Sequence, residues 1–217
     1  FGIYRPLEIT RGCLYHCAYC QTPLMFGNQI RHRSKENILL HIQEAFRRGL
    51  RNYAFISPDA FSWQCDDDGK YRFQEVADLL GTIRKEFPTL KVNFGIFPSE
   101  LRPESVNADS VSILKNYCSN RVVVLGAQSA SDRILEKLNR KTNHVLVKKA
   151  VMQLRAAGFK VSVDYILGFP FETDGDIQEN LKAFKELSSL GARIHTHVFM
   201  PLKGTALQNY RPILQPA

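Results

Sequence analysis

Three cysteines stand close together in the segment Gly12-Cys13-Leu14-Tyr15-His16-Cys17-Ala18-Tyr19-Cys20, spaced Cys-x3-Cys-x2-Cys. Thiolates are soft ligands that select iron–sulfur clusters or zinc. Three of them cannot complete the four-cysteine set of an ordinary cubane cluster, so one iron is left for a ligand that is not protein. Structural zinc with His16 as the fourth ligand is the rival assignment, but His16 adjoins Cys17, which makes tetrahedral ligation by both awkward. Covalent haem fails because Gln21, not histidine, follows Cys20. The chain has five cysteines, an odd number, and the other two, Cys65 and Cys118, stand alone, which argues against a disulfide framework.

Other residues with chemical potential are scattered further along. His195 and His197 are two apart, so on a strand they share a face. They could bind substrate, relay protons or ligate a metal, although a pair needs a third ligand to make a metal site. Asp164 shares a strand face with Ser162 and is a candidate cofactor contact, the plainer reading being a buried acid paired with Lys or Arg. Glu100 is a candidate substrate contact or a loop acid near a helix start. Asp66-Asp67-Asp68-Gly69 lacks the alternate spacing of a calcium loop and reads as a solvated turn. Trp63 is expected to line the mouth of the site, and Cys118 to be core.

A strand–helix alternation must position these groups. Strands are expected at 6–10, 52–57, 91–97, 121–126, 160–167 and 193–199. Helices between them begin at signals such as Ser34, Pro103 and Thr173 and close at Gly49 and Gly158. Six such units imply parallel strands with right-handed crossovers, closed as a doubly wound sheet or as a barrel. A doubly wound sheet is apolar on both faces. Here Ser162 and Asp164, His195 and His197, Glu8 and Thr10, and Asn93 and Gly95 form a recurrent polar or small face. The fold class expected is therefore α/β, a partial, incompletely closed (β/α)6 TIM-like barrel spanning residues 1–217, with its site at the C-terminal ends of the strands.

Net charge is +8, with 29 Lys plus Arg against 21 Asp plus Glu, and Arg31-His32-Arg33 is the tight basic cluster. A solvated basic surface accounts for this, and it supports a nucleic-acid partner only weakly. No apolar run approaches the length of a membrane span, and a cytoplasmic location is expected. The start at Phe1 without Met is read as the start of a fragment.

The cysteine pattern, with Tyr19 just before the last cysteine, resembles the signature of the radical S-adenosylmethionine superfamily. Gly126-Ala127-Gln128-Ser129 with Asn139-Arg140, Val163 to Pro170 with Glu172-Thr173, and Phe199 to Thr205 resemble the methylthiotransferase and oxygen-independent coproporphyrinogen oxidase branch. Glu8 to Cys13, Cys20 to Pro23, Phe97 to Glu104 and Ala192 to His195 resemble radical proteins that carry a cobalamin-binding domain, expected here to precede the fragment. The resemblance implies a [4Fe-4S] cluster on Cys13, Cys17 and Cys20, S-adenosylmethionine on the open iron, and a 5′-deoxyadenosyl radical as the reactive species. It also implies an external one-electron donor of the flavodoxin or ferredoxin type and, in the full-length protein, cobalamin-assisted methyl transfer to an unassigned substrate.

By the same resemblance Tyr19 flanks the adenine, and Gln128 and Ser129 meet the ribose or carboxylate. Ser57-Pro58-Asp59 stands where a Gly-Gly-Glu stretch often binds the methionyl amine, so Ser57 and Asp59 are its substitutes. Three other functions remain open: methylthiotransferase-like tRNA modification, a non-catalytic zinc-bearing RNA-binding module, and a pure electron carrier whose potential does not respond to S-adenosylmethionine.

Overall fold

The computed structural model describes residues 5–213. In chain order, β1 (Arg5–Glu8) and the short β2 (Thr10–Arg11) lead into the cysteine segment, which is followed by α1 (Thr22–Phe26) and β3 (Arg31–His32). Then come α2 (Lys35–Arg47), β4 (Asn52–Ile56), α3 (Phe73–Glu86), β5 (Lys91–Asn93) and α4 (Ala108–Tyr117). The second half comprises β6 (Val122–Gln128), α5 (Asp132–Lys137), α6 (His144–Ala156), β7 (Lys160–Leu167), α7 (Asp174–Ser189) and β8 (Arg193–Val198). None of the helices described is long and apolar enough to cross a membrane.

Local chemistry sets the helix ends. The Ser34 hydroxyl accepts from the Asn37 N–H, and Asn143 accepts from the Leu146 N–H at 2.9 Å. Asn107 and Ser110 bond each other reciprocally at the start of α4. Gly158, at φ +91°, ends α6 in the left-handed conformation that glycine adopts without penalty.

Two parallel sheets, β1-β4-β5 and β6-β7-β8, each hold three strands, while β2 and β3 form a small antiparallel pair. Residues 95–101 join the two parallel sheets. The Val124 N–H donates to the Gly95 carbonyl and the Leu101 N–H to the Val124 carbonyl, both at 2.8 Å, and Leu101 bridges Leu125. The six strands thus form an arc whose free edges are β1 and β8; no bridge joins those edges among the described residues. This is the incompletely closed six-unit barrel expected.

Outer strand faces pack on the helices. In β7, Val161, Val163 and Tyr165 are buried there, with Tyr165 edge-on to Phe184 of α7 at 4.8 Å, so Ser162 and Asp164 face the lumen. A second apolar cluster of Ile134, Leu138, Phe169, Phe199 and Leu207 packs against Ala18 and Tyr19, anchoring the end of the cysteine segment.

Four expectations are corrected. β5 stops at Asn93, not residue 97, because Gly95 takes φ +68° and turns the chain. Pro103 opens only a short 3-10 turn over Pro103–Ser105, and the helix proper begins after the Asn107 cap. β6 runs on to Gln128 through a bulge. Trp63 does not line the mouth. It is 2% exposed, and its indole N–H donates to the Arg33 carbonyl at 2.9 Å.

One polar knot ties α5 to α7. Buried Asp176 accepts from the Ser131 hydroxyl (2.6 Å) and from the Thr173 N–H (2.8 Å) and hydroxyl (2.6 Å), and it pairs with Arg133. Burial opposes its ionisation, but these donors outweigh it and hold the carboxyl well below the usual carboxylate range. Because the folded value lies below the unfolded one of about 3.9, the stabilisation is full above that pH and is lost as pH falls towards the folded value. Asp176→Asn is expected to cost about 2 kcal/mol at neutral pH and to flatten the acid limb of the stability curve below about pH 4. Thermal unfolding across pH checks both.

Candidate active site

Past β2 the chain turns at Gly12, which sits at φ +90°. A Cβ there would lie 2.1 Å from the Gln29 carbonyl oxygen, so only glycine fits. The Cys13 N–H donates to the Gly27 carbonyl, and the Ala18 N–H to the Leu138 carbonyl at 2.9 Å, fixing both ends of the loop. Cys13, Cys17 and Cys20 are free thiols, and all three line one cavity of about 540 Å³ at the C-terminal ends of the strands. Burial pushes the Cys13 thiol up to about 11, against the pull of the Tyr15 backbone N–H. The Thr22 N–H donates to the Cys20 sulfur at 3.4 Å. Three convergent thiols, none spent in a disulfide, fit a soft metal centre, whose charge would enforce deprotonation of a thiol that burial otherwise keeps neutral.

The lumen faces of the strands supply the other walls. Glu8, Thr10, Glu100, Gln128, Asp164 and His197 all line the cavity. The bulge in β6 leaves Ala127 without a partner in β7 and puts Gln128 at φ +72°, a left-handed backbone that turns its amide inward. Glu100, Gln128 and Arg140 converge over Gly126: a Cβ there would come within 2.6 Å of the Glu100 carboxylate and 2.8 Å of the Gln128 amide nitrogen. Burial raises the Glu100 carboxyl above its ordinary value, reinforced by Asp164 and opposed by Arg140.

The expected site residues separate into two groups. The structure brings the three cysteines, Tyr19, Ser57, Glu100, Gln128, Asp164 and His197 to the cavity. Tyr19 also tilts against Phe169, 6.1 Å away. The Ser57 hydroxyl is already committed to the Asp59 carbonyl at 2.7 Å. Asp59 itself turns away, and its carboxylate accepts from the Tyr71 hydroxyl at 2.5 Å. Ser129 also lies elsewhere. It is fully buried beside Asn180, accepts from the Ser131 N–H at 3.2 Å, and is carried out of the lumen by the turn that follows the bulge. His195 sits beside the cavity rim, 3.3 Å from Asp164, and is not part of the lining.

Two arginines were missed. Arg102 is 3% exposed, lines the cavity, pairs with Glu104 at 2.8 Å and stacks on Tyr15 at 3.7 Å. Burial opposes its charge, but Glu104 and Asp59 overcome this and keep it protonated. Arg140 donates to the Gly126 carbonyl at 2.6 Å and also lines the cavity. Both lie in segments that resemble known proteins, yet neither spacing nor periodicity distinguishes them from surface cations.

Comparison with known proteins agrees with this geometry. The sequence pattern of the Radical SAM superfamily matches residues 7–184. A tRNA-2-methylthio-N(6)-dimethylallyladenosine synthase of Geobacter sulfurreducens is 26% identical over 216 residues, covering 97% of this chain and 46% of that protein. A putative methylthiotransferase of Methanocaldococcus jannaschii is 28% identical over 175 residues, covering 78% of this chain and 36% of that one. The chain thus spans less than half the length of these curated relatives. Among solved structures, the radical S-adenosylmethionine methyltransferase TsrM from Kitasatospora setae, with cobalamin and a [4Fe-4S] cluster bound, superposes with a TM-score of 0.74 at 17% identity, covering 94% of this chain and 38% of that one. Coproporphyrinogen III oxidase from Escherichia coli gives 0.61 at 17% identity, covering 94% and 45%. Those superpositions establish the unclosed barrel, and the match over residues 7–184 settles the lineage: this chain belongs to the radical SAM superfamily.

Proposed function

We propose that this chain is the catalytic barrel of an enzyme that cleaves one S-adenosylmethionine reductively to activate its substrate and takes the methyl carbon of the transferred group from a second S-adenosylmethionine. The observation that carries the reading is three free thiols on one loop, converging on a cavity walled by lumen-facing polar side chains. Cys13, Cys17 and Cys20 would hold a [4Fe-4S] cluster, which supplies one electron to the sulfonium and so breaks a carbon–sulfur bond to give methionine and a 5′-deoxyadenosyl radical. Tyr19 offers a flat face beside the cysteines, and Gln128 a neutral amide for hydroxyl or carboxylate groups. Buried Arg102 and half-buried Arg140 give the cavity two positive charges for an anionic group. The apolar lining, including Ile56, Leu101 and Phe199, keeps water from the reacting centre.

The group transferred follows the relatives. The sequence likeness to methylthiotransferases favours methylthiolation of a nucleotide, and the fold likeness to a cobalamin-bound methyltransferase favours methylation. Either reaction would draw its electron from an external donor of flavodoxin or ferredoxin type and its methyl group from a second S-adenosylmethionine, and methylthiolation would also need a sulfur donor.

The test is electron paramagnetic resonance of anaerobically reconstituted, dithionite-reduced protein with and without S-adenosylmethionine, with 5′-deoxyadenosine measured in the same sample. The expected result is a cluster signal that shifts on adding S-adenosylmethionine, together with 5′-deoxyadenosine formation. Zinc in place of iron, or a cluster indifferent to S-adenosylmethionine, overturns the reading.

A further inference from the structure

A second cavity, of about 380 Å³, lies against the β2–β3 pair, with Arg11, Arg31 and Arg33 in its lining. Glu8, Thr10 and Arg11 line both this groove and the cysteine cavity, so the two share a wall at the free β1 edge. Like charges face each other in the groove. In the antiparallel register Arg11 lies directly opposite Arg31, a pairing that repels and costs stability unless a negative group comes between. Glu8, the one carboxylate in the lining, is bonded to Arg11. The Arg31 guanidinium donates to the Phe26 carbonyl at 2.7 Å, and that of Arg33 to the Glu8 carbonyl at 3.0 Å and the Asn37 side-chain oxygen at 2.8 Å. Neither meets a carboxylate among the described residues. His32 adds no charge: its Nδ1 accepts from the Gln64 N–H at 3.2 Å, and burial holds its pKa below the ordinary histidine value. Three arginines against one carboxylate leave the groove strongly positive.

An aromatic ring stands among these cations. Phe26, at the end of α1, is 37% exposed and lines the cysteine cavity. The Arg11 guanidinium lies over its ring at 5.6 Å, and Arg31 is bonded to its carbonyl. Cations strung along a groove, with an open aromatic face between them, suit single-stranded nucleic acid: the cations track the phosphates and the ring stacks on a base. A lone phosphate calls for donors converging on one point, whereas Arg31 and Arg33 are anchored on different carbonyls.

We propose that the groove beside β2 and β3 binds the phosphate backbone of a single-stranded nucleic-acid segment, with Arg11, Arg31 and Arg33 on its phosphates and Phe26 stacked on a base at the entrance to the cysteine cavity. This names the substrate class of the reaction proposed above and rests on that reading for what enters the cavity; the affinity of the groove itself does not depend on the cluster.

The probe is a fluorescein-labelled, mixed-sequence single-stranded RNA of about 12 nucleotides. Its anisotropy is followed across a salt series with the cluster-loaded chain and with the same chain before iron is added. Each phosphate neutralised contributes about 0.7 to the slope of log affinity against log salt. Arg31→Gln with Arg33→Gln should weaken binding about 10-fold or more at low salt and reduce the slope by about 1.4. Arg31→Gln alone should give about half that change in slope, and Arg31→Lys with Arg33→Lys should keep the slope. Phe26→Ala should weaken binding about 5-fold or more with the slope unaltered. Arg84→Gln with Lys85→Gln removes the same charge from the last turn of α3 and should leave affinity and slope as they were. Circular dichroism confirms that each variant is folded. Equal affinity and slope in the parent and the glutamine variants, or poly-glutamate of equal length binding as tightly as the RNA, overturns the proposal. If the arginine dependence holds while iron loading or 5′-deoxyadenosine formation fails, the cluster reading falls and the groove stands; if the cluster loads and cleaves S-adenosylmethionine but the RNA does not bind, the groove alone falls.

Discussion

Cys17→Ala is expected to give a folded chain that holds no stable iron–sulfur cluster and forms no detectable 5′-deoxyadenosine. The side chain is small and 7% exposed. Its loss as a packing element costs about 1 kcal/mol, as for other small core truncations. Its loss as a ligand is of another order, because two thiolates cannot retain a cluster that already lacks a fourth protein ligand. The informative comparison is with the two cysteines outside the cavity. Cys65 and Cys118 are free thiols that burial pushes up to about 11 and about 12 respectively. Replacing either with alanine should leave iron content and 5′-deoxyadenosine yield unchanged. Iron per chain and product yield, measured side by side in all three variants, separate ligation from stability. Full activity in Cys17→Ala would remove the cysteine loop from the mechanism.

Gly12→Ala should be nearly as damaging, through the backbone. A side chain at Gly12 meets a carbonyl oxygen at 2.1 Å, an atom fixed in the chain that cannot swing aside, and must also adopt φ +90°. The loop would have to move, taking Cys13 with it. We expect a loss of about 3 kcal/mol or more, a drop in Tm of about 6–12 °C, and poor cluster retention. Gly27→Ala is the control. Gly27 has a similar φ of +83° but nothing within 4 Å of the added carbon, so it should lose only the left-handed penalty of about 1–2 kcal/mol. Differential scanning calorimetry with iron analysis on both variants tests the distinction. Equal losses would mean that strain at φ, and not the Gln29 carbonyl, makes glycine necessary at position 12.

Periodicity and capping exposed much of this fold because they are local. The Ser34 cap, the Gly158 stop and the whole of β7 could be read directly, and the alternation along β7 put Asp164 in the lumen. The strand ends are different. Where β5 stops and how far β6 continues depend on the 95–101 crossing and on the bulge beside β7, which are tertiary events with no residue pattern of their own. Ser129 shows the cost: beyond a bulge, strand parity no longer tells which way a side chain points. Arg102 and Arg140 were silent for a related reason. An arginine becomes a site residue only when the fold buries it, and burial is not a property of the arginine. The shared partner of His195 and His197 was likewise hidden, since only the in-register pairing of β7 with β8 brings Asp164 to them.

The free edges at β1 and β8 also bear on how material is delivered to the centre. A volume of about 540 Å³ suits a single drug-sized guest. Once a nucleoside sulfonium fills it, only the tip of a second molecule can be admitted. A closed barrel would then restrict the enzyme to slender partners threaded from above. An opening between those unbridged edges would work as a keyhole cut through the side of a vault, with the body of a partner staying outdoors and one atom offered inward. Discrimination between partners would then belong to the outer frame around the opening rather than to the inner chamber.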